Sequence, residues 1–305
     1  MRIPKFALAI TAASLACGDN AATSGDGVTR TLLTDVPFPY DRVARVDLYV
    51  VSISASLAPD TTSAGQFVTL ATPNRRINVL ALQGGVTEEL GAVTLPSGAI
   101  SAVRMIIDTD SSSITLRNGS VLTGRTTPGI QWQSSAGRPV LNATLNERIG
   151  VPREGATVVI DFDVGKAFIP PQEINPASTD SGFIFSPVIR AVDAARSGSI
   201  VGTVKARTAT GIAVPNASLR LYVGRPGTPE NTWPMLATAR ADANGAFKFA
   251  YVTPLSYWTS LPAYAGATYI VAADPPSGAG LGRAVVPGLT VAAGAETAAG
   301  AIVLP

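Results

Sequence analysis

At 305 residues the chain is long enough for two cores of ordinary domain size. It contains no histidine and a single cysteine, Cys17. That excludes Ser-His-Asp and Cys-His nucleophile systems, histidine-ligated zinc, histidine general bases and internal disulfides. Ala, Val, Thr, Gly and Pro are abundant and Glu, Lys and Met scarce, a usage that favours short strands punctuated by turns. An all-β chain is expected.

The N-terminus sets location. Arg2 and Lys5 precede an apolar run from Phe6 to Ala16, the charged-then-apolar order of an export signal. The run falls far short of the ~20 residues that span a bilayer. A small residue before Cys17, directly after this core, resembles the bacterial lipoprotein signal. The resemblance implies that residues 1–16 are removed and that Cys17 is acylated, so that membrane lipid becomes a partner. The alternative is an ordinary cleaved signal with Cys17 incidental. Gly18 carries no acidic retention signal, so the expected address is the outer membrane. Losing Arg2 and Lys5 takes the 23 basic residues to 21, equal to the acidic count. A formally neutral chain gives no nucleic-acid argument. Residues 17–29 read as the lipidated cysteine and a flexible tether, and no anchor or sorting tail is expected after the last strand.

Strand signals follow. Val43 to Leu57 alternates most clearly, with Val46, Leu48 and Val50 on one face. Ile77 to Leu82 is open between a strand and a helical turn. Ile100 to Asp108 alternates again, and Asn118-Gly119 is a strong hairpin turn. Thr157 to Val164 and Phe183 to Val192 close a first unit. Leu33-Thr34-Asp35-x-Pro37, the long strand after it, Ile77 to Leu82 and Leu95-Pro96-Ser97-Gly98 leading to Arg104 occur in order, followed by Ile160-Asp161-Phe162-Asp163 and Ser186-Pro187-Val188-Ile189-Arg190. Over residues 30–193 this order resembles the lipoprotein domain family catalogued as domain of unknown function 4382, which implies a fold but no activity.

Residues 194–198 read as a linker. Residues 199–305 open with Gly202-x-Val204, then Pro215-Asn216-Ala217, then Asp242-x-Asn244-Gly245-x-Phe247-x-Phe249. This pattern is similar to carboxypeptidase regulatory-like domains, transthyretin-like sandwiches grouped with starch-binding modules under a carbohydrate-binding-like fold. Two tandem β-sandwich domains, Ig-like or transthyretin-like, are therefore expected behind the signal peptide and tether.

Three constellations could carry chemistry. Asp161-x-Asp163 places two carboxylates on one side of a strand. The bland reading is a solvated face; the sharper ones are a cation site or a glycosidase pair. Asp108-x-Asp110 reads as a polar strand end and Asp242-x-Asn244-Gly245 as a turn. Aromatic residues concentrate in the second unit, where Trp233, Tyr257 and Trp258 are the candidate ligand-binding residues. Flat aromatic faces are a common platform for sugar rings; the alternative is a loop folded back to bury its tryptophan. No catalytic residue and no cofactor is expected. The leading function is a non-catalytic, membrane-anchored extracytoplasmic binding module with carbohydrate as the first ligand class. The alternative is a structural or adhesin-like lipoprotein that contacts another envelope protein, and a carboxylate hydrolase is disfavoured.

Overall fold

The computed structural model describes residues 25–35, 42–58, 67–133, 137–208 and 211–305. The expected signal segment 1–16, Cys17 and most of the expected tether lie outside them. The chain is all-β, built as two sandwich units with separate cores, one gathered between Leu33 and Ala191 and the other between Ile200 and Leu304. Among the described residues no helix is long and apolar enough to cross a membrane.

In the first unit one sheet orders the strands Ile189–Asp193, Ala156–Phe162, Asp26–Asp35 and Glu88–Pro96. The other orders Val140–Ala143, Ala102–Leu116, Val43–Ser56 and Phe67–Ala71. The expected alternation is visible in the second sheet, where Val46, Leu48, Val50, Val103, Met105 and Ile107 are all buried. Gly119, at φ 86°, closes the Asn118-Gly119 hairpin. The ambiguous stretch is divided between both readings: Arg75–Asn78 is a strand, and Val79–Gly85 is 3-10 helix.

The tether expected over 17–29 is too long at its C-terminal end. The first strand already begins at Asp26, because residues 26 to 33 pair antiparallel with Glu88–Pro96, and residues 29 to 35 pair parallel with Ala156–Phe162. The linker is a 3-10 turn, Ala194–Arg196, with the Asp193 carboxylate accepting from the Ala195 amide.

In the second unit, Ala246–Val252, Gly198–Ala206 and Glu296–Leu304 face a sheet of Met235–Arg240, Ser218–Gly224, Thr268–Asp274 and Ala284–Leu289. Phe247 and Phe249 pack edge-on, 5.8 Å apart, in this core. Asp242 makes the preceding turn: its Oδ1 accepts from the Asn244 and Ala246 amides, both at 2.8 Å. Gly245 sits at φ 76°, where a side chain is strained and a Cβ would lie 2.5 Å from the Val204 carbonyl oxygen. Asp242 and Asn244 are thus a turn.

Candidate functional site

The site forms where the two units meet. In the ladders of the first sheet Leu33 faces Ile160, and both, with Phe162, belong to the core side. Period-two alternation turns Thr34, Asp161 and its cross-strand partner Arg190 to the opposite side. The second unit covers that side. The Val79–Gly85 segment packs on the Ala246–Val252 strand, and a Cβ on Gly85 would lie 2.8 Å from the Ala250 methyl carbon. Asn146 Nδ2 donates across the seam to Thr253 Oγ1 at 3.2 Å.

Beside this contact lies a cleft of about 250 Å³ with two unlike walls. The first unit supplies a charged rail of Asp161, Asp163, Lys166 and Arg190. The second supplies an apolar wall in which Leu221, Met235, Leu236 and Trp258 stand near Tyr269. Arg190 Nε donates to Asp161 Oδ2 at 2.6 Å, and Lys166 Nζ approaches Asp163 Oδ2 at 3.1 Å. Asp163 also caps the short helix Val164–Ala167, its Oδ1 accepting from the Lys166 amide at 3.0 Å. The expectation of a solvated carboxylate face is corrected here. Asp161 and Asp163 are only 3 % and 6 % exposed, because the second unit packs over them. Burial pushes the Asp161 carboxyl up, while the neighbouring Arg190 guanidinium pulls it back. Burial also raises the Tyr269 hydroxyl, which donates to the Thr253 carbonyl.

Each carboxylate of the suspected pair is therefore taken by a cation of the chain. Among the described residues no group of three or more His, Cys, Asp or Glu side chains could hold a metal ion. The two carboxylates sit two residues apart, at the end of one strand and the helix cap after it, whereas a glycosidase pair flanks its substrate from both sides. Asp108 and Asp110 are likewise engaged: Asp108 accepts from the Ser111 amide and pairs with Arg138, and Asp110 pairs with Arg125.

Of the three candidate aromatics, Tyr257 and Trp258 are brought together and Trp233 is not. The segment bounded by Pro254 and Pro262 is not an open loop but a one-turn helix, Leu255–Thr259, started by Pro254 at its N-cap. It lays Trp258 half-buried against the second core, edge-on to Tyr257 at 5.2 Å and to Tyr264 at 5.3 Å. Trp258 lines the cleft and Tyr257 braces it. Trp233 packs on the other face of the same sheet, against Tyr222 at 6.0 Å beside Ile270 and Ala272. Its Nε1 donates to Thr228 Oγ1 at 2.7 Å. Strand parity separates the two tryptophans, since Leu221 and Tyr269 face the core while Tyr222 and Ile270 face outward. Lys166, Arg190 and Asn146 belong to the site without having been singled out as site residues. The only signal was Arg190 ending its motif, and its partner lies 29 residues earlier.

The chain belongs to the family described as Domain of unknown function (DUF4382), which matches residues 26–187, more than half of its length. No curated protein matches the chain. Among solved structures, the shaft pilin SpaA from Lactobacillus rhamnosus GG is similar at 11 % identity and TM-score 0.22, over 92 % of this chain and 97 % of that one. The minor pilin GBS52 of Streptococcus agalactiae shows 8 % identity and TM-score 0.22, over 91 % and 96 %. The Bacillus anthracis TIE protein shows 9 % identity and TM-score 0.22, over 91 % of this chain and 41 % of that one.

Proposed function

We propose that this chain is a non-catalytic, exported module of the cell envelope, held at the outer membrane through acylated Cys17, which binds carbohydrate in the cleft between its two units. The observation that carries this reading is the cleft's asymmetry: the Trp258 indole stands in an apolar wall opposite Asp161, Asp163, Lys166 and Arg190. A sugar ring has the matching shape, with an apolar C–H face for an aromatic wall and a hydroxylated edge for polar groups. At about 250 Å³ the cleft is smaller than the ~300–1,000 Å³ pockets of larger ligands, which suits one ring. The resemblance of residues 198–305 to carboxypeptidase regulatory-like domains points the same way.

A glycan-array screen of the whole chain tests the reading. Binding should be abolished by Trp258→Ala and unchanged by Trp233→Ala, since Trp233 lies on the far face of the sheet. Binding lost with Trp233 and kept without Trp258 would contradict it.

A structural or adhesin-like role is favoured by one feature, the edge strand Glu296–Leu304, which carries a single charge, Glu296, over nine residues. The register shift opposite Val201 and Gly202 works against it, because a bulge discourages edge-to-edge pairing. The cleft is the better-supported site.

A further inference from the structure

We infer that Asp161 is the residue that reads the occupant of the cleft, its free carboxylate oxygen accepting a hydroxyl donor from the buried edge of the sugar. The inference rests on the saccharide reading above and goes beyond it by naming the recognising atom and the chemistry it selects. The two oxygens of Asp161 are unequal. Oδ2 is committed to Arg190 Nε at 2.6 Å. Oδ1 is buried and accepts no hydrogen bond from the protein. The residue is 3 % exposed and borders both the cleft and the small pocket next to it, between Thr34 and Phe249. A buried acceptor without a donor is costly in a folded protein, and a polar group left unsatisfied in a cleft marks where a ligand donor belongs. Arg190 holds Oδ2 and so fixes the orientation of the carboxylate, which keeps Oδ1 from rotating away.

The charges around it set the class of ligand. Asp161 and Asp163 are balanced by Arg190 and Lys166, leaving the rail without net charge to attract an ion. A ligand carboxylate brought to Oδ1 would meet like charge, so uronic acids are selected against there. A neutral hydroxyl donates without that repulsion. An O-methylated or deoxygenated sugar at the same position leaves Oδ1 unsatisfied. Sites built to bond a hydroxyl discriminate strongly against analogues lacking it.

Asp161→Asn inverts the recognising group with little change in shape. The amide oxygen remains on Arg190, and the NH2 takes the place of Oδ1, turning an acceptor into a donor. Calorimetric titration of the wild-type chain, Asp161→Asn and Trp258→Ala uses methyl gluco-, galacto- and mannopyranosides with their monodeoxy derivatives. The wild type should bind at least one parent glycoside, and Asp161→Asn should bind it roughly tenfold or more weakly. One monodeoxy derivative should show the same loss on the wild type and no further loss on Asp161→Asn. Equal affinity of Asp161→Asn and wild type overturns the inference and leaves the saccharide site standing. So does a wild type that binds every monodeoxy derivative as well as its parent, a readout that needs no variant. Absence of binding by the wild type overturns both.

Discussion

Arg190→Ala should lower the melting temperature of the chain by roughly 10 °C, the largest loss expected from any single charged residue. Its Nε holds the carboxylate of Asp161, which is 4 % exposed at its side chain, while Arg190 itself is 23 % exposed. Removing the cation leaves a desolvated charge with no compensation, and breaking such a pair costs about 3–5 kcal/mol. In a chain of this size each kcal/mol corresponds to roughly 2–4 °C. The double replacement Asp161→Leu with Arg190→Met should recover most of the loss, since an apolar pair of similar volume needs no compensation. Differential scanning calorimetry of the three proteins gives the answer. An Arg190→Ala protein melting within 2–3 °C of wild type, a loss of no more than about 1 kcal/mol, would show that Asp161 is neutral or solvated in the folded chain.

Phe162→Ala should be of similar size for a different reason. Phe162 is fully buried in the first core, beside Asp35 and Ile189 in the two ladders of its strand. Removing an aromatic ring from a closed core costs about 3–5 kcal/mol, through lost transfer energy and the cavity left behind. Because Asp161 precedes it and Asp163 follows it, slack in this strand also loosens the charged rail. Urea denaturation should show a lower midpoint with an unchanged slope. A loss below about 1 kcal/mol would mean the site collapses to fill the space, contrary to the packing described.

The local features of the fold were readable because each depends on neighbouring residues. Alternation in Val43–Ser56, positive φ at Gly119 and the Asp242 turn all follow from spacings of one to four residues. The site was less readable because its geometry is long-range. Asp161 looks solvated along the chain, and only the ladder to Arg190 and the covering second unit make it buried. Trp233 and Trp258 look like neighbours in a run of aromatics, yet the sheet between them puts them on opposite faces. Trp258, Asp161 and Asp163 stand out in the sequence, an aromatic because the chain has few of them and the carboxylates because they are paired, while Asn146 and Lys166 are ordinary until they meet them.

The central claim is that Trp258, facing the rail, is where ligand binds. The chain has three tryptophans, Trp132, Trp233 and Trp258, so its indole N–H resonances form a three-point reporter. Trp132 is held against Phe168 and Phe185 in the first core, and Trp233 lies on the far face of the second unit. Titrating the labelled chain with the methyl hexopyranosides should move the Trp258 signal saturably and leave the other two in place. A saturable shift at Trp233 alone, or no shift at any of the three, would contradict the account.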